Sequence, residues 1–476
     1  MLTLIFLLNI YFVSFKDKPE KSAAALSPRA IEQRAQWNIP TDEMDYPVSP
    51  MYQNELRDLG VKIHHVSRWF NGATCEMDEE TAKKVEDLSF VTAVEITRDD
   101  ANSYHSPAKR HIEQRQYTNW DTGAKPTDDQ LRLYNLLKLH DAGFEGQGIL
   151  MTVCDGGFGN ADQLDCFKTE ERADQFLGYF DFTDDPYDFF DAHTGLHGTA
   201  CLSSISAIDE QLGYRGAATK AKYYLMRSEE NDTESPKEMD NLVAALEKSD
   251  SLGVNVFSVS LGYYYFDNSS WNLPKSALNG RTTRASQAAT IAARKGMLVC
   301  VAAGNEGNKA WRTISVPADA DSILTVGAVD INGNIASFSS NGPSADGRVK
   351  PEVCAVGSNA ALINTEGYLI SSSGTSFATP LLAGMAASLW SALPKENAMQ
   401  IRERIIRSAD RYDNPDTKCY GYGIPDAWKA YGKDQRLGDE WMSGLEENKP
   451  QKIIRGDQIL IIRHGHIYNL AGQLVE

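Results

Sequence analysis

The chain has 476 residues, a formal net charge of −18, a sequence pI near 5.0 and 42% hydrophobic residues. That length and apolar share support a large core and more than one domain, which excludes a disordered or fibrous chain. The acidic balance argues against a nucleic-acid partner, because phosphates are held by clustered Lys and Arg.

In chain order, residues 2–15 form an apolar run of secretory h-region length, too short to span a bilayer as a helix, so no transmembrane span is expected. No Lys or Arg precedes the run and no small-residue cleavage site follows it. Residues 1–15 therefore also read as a shortened signal segment overlapping a first strand, Tyr11-Phe12-Val13-Ser14-Phe15.

From 11 to 98 the pattern is that of a small α+β domain. Ser27-Pro28 and Ser49-Pro50 each supply a capping serine followed by the one helical position where proline is welcome. Gly60 ends the second helix, 61–69 and 73–77 read as strands, 78–88 as a charged helix and 91–97 as a closing strand. Between 99 and 127 the chain turns polar, with Lys109-Arg110 and Arg115 among Asn, Gln, Ser and Asp. Such a linker cannot bury enough apolar surface to order itself and is open to proteolysis. Its basic residues read equally well as a processing signal or a solvated charge run.

Residues 128–432 alternate strand and helix. The runs 149–155, 222–227, 254–260, 297–303 and 323–329 are short, apolar and rich in β-branched residues, as strands buried on both faces should be. Helical patterns at 238–249 and 283–295 separate them. Parallel strands joined by helices predict a doubly wound α/β layer, a mostly parallel sheet with helices on both faces. Pro380 is expected in the early turns of the helix that starts near Ser376, where a missing N–H costs least. A polar linker at 433–451 precedes a short β tail, 452–476, with a turn at His464-Gly465. His464 and His466 beside that turn read as solvated, not as metal ligands.

Cys154, Cys201, Cys300 and Cys354 lie in apolar strands or in the helix that carries His197, and read as buried thiols. Cys75 belongs to the N-terminal domain, while Cys166 and Cys419 sit in polar surroundings where a disulfide has no readable partner. No CxxC spacing suggests a metal.

The candidate chemistry rests on Asp155 at the end of ILMTVCD, His197 in LHGTACLSS, Asn305 in VCVAAGNEG and Ser376 in SGTSFATPLLAG. Singly, each has an ordinary explanation: a strand-end Asp caps a turn, a His beside Gly-Thr sits at the surface, GNEG is a loop, and Ser opens a helix. Together they fall at strand ends and helix starts, where an open α/β sheet gathers its chemistry. A serine hydroxyl attacks an amide only when a base removes its proton, which is the role for His197. Asp155 would hold the imidazole and stabilise its charged form, and Asn305, with the Ser376 N–H, would donate to the developing oxyanion.

In this order and context the residues resemble the subtilisin-like serine proteases, over 128–429. Ser260-Leu261-Gly262 resembles the strand that lines the substrate cleft, and Ala302-Ala303-Gly304 the opposite wall of the S1 pocket. The run from ILTVGAVDINGN to KPEVCAVG also follows the family, and YYLMRSEEN, SDSLGV and PADADSILTVGAVD are shared with secreted Bacteroidetes subtilases. Many subtilisins carry HGTH where this chain has Ala200, but that second histidine takes no part in the triad.

The resemblance implies a self-processing endopeptidase acting on peptides through an acyl-enzyme, with 11–98 as its own inhibitory propeptide. It implies a secreted or cell-envelope monomer, surface-attached if the C-terminal tail is a sorting signal. The chemistry needs no cofactor, and a structural calcium ion, though common in the family, has no ligands assigned here. A silent scaffold used for adhesion is the alternative, and it would need a lesion in the quartet, where none is visible. The related carboxyl-peptidases would replace His197 by acidic residues, against which LHGT speaks.

Overall fold

The computed structural model describes residues 8–18, 23–99, 127–168, 172 and 174–432, and the backbone of the strands Arg115–Gln116, Gln451–Arg455, Gln458–Arg463 and His466–Asn469. The rest of the expected signal segment and of the two linkers, and the turn at 464–465, lie outside the described residues.

The N-terminal region builds a four-stranded antiparallel sheet in the order Lys62–Ser67, Gly72–Met77, Asn9–Phe15, Val91–Arg98. Helices Pro28–Gln36, Pro50–Asp58 and Glu79–Glu86 accompany it. Ser27 caps the first helix by accepting the Ala30 N–H. Ser49 makes no such bond, so only half of the expected capping is realised. Gly60 has φ +84°, its N–H donates to Arg57 O, and the Val61 N–H reaches back to Leu56 O. These bonds use up helix-end carbonyls through a left-handed residue that glycine adopts at low cost.

Alternation along Asn9–Phe15 divides its side chains between two cores. Tyr11, Val13 and Phe15 pack with Tyr52, Leu56 and Phe90 inside the N-terminal region. Phe12 points the other way, beneath the Arg284 guanidinium at 4.2 Å from its ring centre. The sheet thus rests on the helices Lys237–Leu252 and Arg284–Arg294 of the following region.

Buried charges reinforce that contact. Arg34 pairs with Asp250 and Asp45 at 2.7 Å each, and Arg68 meets Asp250 at 2.6 Å. The Glu247 carboxylate accepts Ser67 Oγ, the Arg68 N–H and the Trp69 N–H. Removing one partner from a buried charge network strands the others, at a cost of about 3–5 kcal/mol. Asp250→Ala should therefore lower the stability of the full chain by roughly 3 kcal/mol, near the low end of that range because Arg34 keeps Asp45 and Arg68 keeps Glu247. Urea unfolding checks this, and an unchanged midpoint would show the contact to be energetically idle.

The second region is a seven-stranded sheet in the order Val353–Val356, Leu324–Val329, Leu298–Ala302, Val256–Val259, Leu150–Asp155, Lys222–Arg227, Phe176–Asp181. All its pairings are parallel. Lys237–Leu252 and Arg284–Arg294 pack together on one face, Leu196–Ser206 and Thr375–Ala392 on the other. Two strands of this sheet are not legible in the sequence. Phe176–Asp181 is an edge strand with alternating exposure and an internal glycine, and Val353–Val356 is very short. The chain leaves Leu150–Asp155 toward one edge of the sheet and later returns on its other side through Val256–Val259, a topological switch at which a crevice opens beyond the strand ends.

Residues 431–476 form a separate unit, whose described strands make a three-stranded antiparallel sheet. Among the described residues, no helix is long and apolar enough to cross a membrane.

Candidate functional site

Asp155 ends the fully buried strand Leu150–Asp155, beside the switch point. Its Oδ1 accepts the Gly156 N–H at 2.8 Å and lies 2.7 Å from His197 Nδ1. His197 stands in the first turn of Leu196–Ser206. That helix approaches closely because residue 198 is glycine: a Cβ there would lie 2.0 Å from Gly157 O and 3.0 Å from Asp155 Cβ. Nδ1 is thereby tied to a buried carboxylate, which leaves Nε2 to face the groove as an acceptor.

Ser376 is the second residue of Thr375–Ala392 and lines the same groove as His197. Its hydroxyl donates to Ser260 O at 3.3 Å, and no hydrogen bond joins it to His197. Such bonds commonly tighten only when substrate is present. Pro380 lies in the second turn, later than the position where its missing N–H would be free of cost. It leaves Ser376 O without its helical donor. Ser260 Oγ at 2.8 Å and Cys201 Sγ at 3.3 Å donate to that carbonyl instead.

Asn305 follows the strand Leu298–Ala302. Its Oδ1 accepts the Thr375 N–H at 2.9 Å and Thr375 Oγ1 at 3.0 Å. A backbone N–H can only donate, so this contact fixes which end of the amide is oxygen and leaves Nδ2 as an unused donor on the groove wall. Beside it, the Thr375 and Phe377 N–H groups are engaged, and the Ser376 N–H remains at the helix start.

The groove encloses about 850 Å³. Ser260, Leu261 and Gly262 line one side, Ala302 and Gly304 the other. Ala303 does not line it: side chains alternate at the end of a strand, and Ala303 packs into the apolar core behind. The sequence reading missed Tyr264, Glu306 and Ser315, which also line the groove. Burial, then a hydrogen bond to Glu306, pushes the Tyr264 hydroxyl well above its ordinary pKa. Glu306 also pairs with Lys309 at 3.0 Å. Glu306 was legible as a charged residue next to Asn305, but its direction was not.

Residues 120–423 match the Subtilase family of peptidases S8, and residues 10–115 match the Peptidase S8 propeptide domain of Bacteroidota. A thermostable alkaline protease of Halalkalibacterium halodurans is 29% identical over 296 residues, 62% of this chain and 71% of the relative. Subtilisin DY of Bacillus licheniformis is 32% identical over 232 residues, 48% of this chain and 74% of the relative. The crystal structure of MycP1 from Mycobacterium smegmatis shares the fold with a TM-score of 0.52 at 20% identity, covering 69% of this chain and 91% of that one. With a matched peptidase domain behind a matched propeptide domain, the chain belongs to the subtilase family of serine proteases.

Proposed function

We propose that this subtilase is an exported, monomeric endopeptidase that hydrolyses peptide bonds through an acyl-enzyme and releases itself from its own propeptide. Ser376 is the nucleophile, His197 the general base and then the general acid, and Asp155 the carboxylate that orients the imidazole. Asn305 Nδ2 and the Ser376 N–H stabilise the oxyanion. The substrate backbone lies between the segments Ser260–Gly262 and 302–304. The observation that carries this reading is the convergence of the 2.7 Å His197–Asp155 contact and Ser376 on one groove.

The specificity follows from the same walls. Ala302 and Gly304 add little bulk, and the charge of Glu306 is matched by Lys309. Uncharged, mostly apolar P1 side chains should bind best, in proportion to the area they bury. Cleavage of a peptide library, read by mass spectrometry, tests both points. Internal cuts after apolar residues are expected. Strong selectivity for Arg or Lys would show that Glu306 breaks from Lys309 to meet the substrate, and no cleavage at all would overturn the reading.

A further inference from the structure

We propose that Glu230 forms a second specificity subsite, one that takes an Arg or Lys side chain from the part of the substrate preceding P1, and that Arg98 of the propeptide fills it in the precursor. The proposal deepens the reading of the groove as a peptidase cleft and rests on it. Glu230 lies just past the strand Lys222–Arg227, whose last residue pairs with Asp155 in the sheet. The Ser228 N–H donates to Asp155 O at 3.1 Å, and a Cβ on Gly156 would lie 3.5 Å from Glu229 Cβ. Glu229 Oε1 accepts the Tyr263 hydroxyl at 2.6 Å, and Tyr263 directly follows the groove-lining Ser260, Leu261 and Gly262. The segment 228–230 thus joins the Asp155 turn to the wall assigned to the substrate backbone.

The precursor shows which side chain suits the place. Arg98 Nη1 donates to Glu230 Oε2 at 2.9 Å, and the two side chains are only 16% and 5% exposed. Arg98 is the last residue of the strand Val91–Arg98 and precedes every bond between 99 and 130. It therefore lies on the N-terminal side of the self-processing cut, as the residues before P1 do in any substrate. Burial works against the charge on Glu230, but Lys237 and Arg98 together hold its carboxyl below the ordinary pKa.

The charges that the propeptide leaves behind call for a cation. Glu230 Oε1 meets Lys237 Nζ, which also pairs with Asp184 Oδ2 at 2.9 Å. Asp184 Oδ1 in turn lies 2.8 Å from His64 Nδ1. Two carboxylates of the peptidase share one lysine, and the propeptide gives each a further partner, Arg98 to Glu230 and His64 to Asp184. When the propeptide departs, both go with it. A buried carboxylate that loses a cationic partner is costly to keep charged, which favours a replacement of the same kind. A planar, forked guanidinium suits a carboxylate best, and a lysine ammonium carries the same charge.

The test uses the self-processed enzyme freed of its propeptide, as wild type and Glu230→Gln, on paired peptides that share one apolar P1 residue and carry either Arg or Gln at each position before it in turn. Wild type should prefer Arg at one fixed position by about 10-fold or more in kcat/KM, the worth of a hydrogen bond to a charged group. The preference should lie mainly in KM, because the pair forms away from the reacting atoms. In Glu230→Gln the preference at that position should vanish. The wild-type profile decides the matter even if the variant does not mature: equal rates for Arg and Gln at every position would overturn the proposal and reduce Arg98–Glu230 to a contact of the precursor. A preference that survives Glu230→Gln would also overturn it, by placing the recognition on another acid. Failure of both enzymes to cut any peptide would overturn the peptidase reading and the subsite with it.

Discussion

Ser376→Ala should yield a folded precursor that no longer cuts itself, with turnover down by about 10⁶-fold, the size found when the nucleophile is removed from subtilisin. The hydroxyl makes a single hydrogen bond, to Ser260 O at 3.3 Å, so its loss leaves the surrounding core intact. The stakes for maturation are higher than for turnover alone. The propeptide domain and the peptidase domain are parts of one unit, joined through Arg34, Arg68 and Asp250. Peptide bonds after the propeptide are therefore presented at high effective concentration, and the first cut should be intramolecular. Wild-type precursor should cut itself between residues 99 and 130 at a first-order rate that dilution does not change. Mass spectrometry of the purified variant decides the matter. A Ser376→Ala chain still cut at the wild-type site would assign maturation to another enzyme.

Asn305→Ala is expected to lower kcat by about 10²–10³-fold, the loss seen when an oxyanion-hole donor is removed from subtilisin, with KM nearly unchanged. Thr375 pins the amide oxygen from two donors, so Nδ2 is held in place before any oxyanion forms. Such a donor gains most when charge develops on the substrate, which separates an effect on turnover from one on binding. Steady-state kinetics on a peptide cleaved by the wild type provides the check. An equal rise in KM with unchanged kcat would make Asn305 a binding residue and remove it from the oxyanion hole.

What was legible in the sequence was local. Leu150–Asp155 announced itself as an apolar run ending in a carboxylate, because a parallel strand buried on both faces leaves no alternation to disguise it. The same logic exposed Val256–Val259 and Leu298–Ala302. Phe176–Asp181 did not stand out, since an edge strand is half exposed and reads like a loop. Contacts between distant segments were also hidden. Nothing in the neighbourhood of Pro380 reveals that Ser260 and Cys201 supply the bond its ring removes. Arg34 and Asp250 are 216 positions apart, and only the packed sheet and helix bring them to 2.7 Å. Ala303 differs for a simpler reason: alternate side chains at a strand end face opposite ways, so the three residues of a tripeptide do not form one wall.

The central claim is that Ser376, made nucleophilic by His197, performs the reaction. A serine-reactive phosphonate probe, incubated with the self-processed wild-type enzyme and mapped by peptide mass spectrometry, tests it most directly. The account predicts one covalent adduct, on Ser376, with peptidase activity lost in step with labelling, and no adduct in His197→Ala. Labelling at another residue, or full activity with Ser376 unmodified, would contradict it.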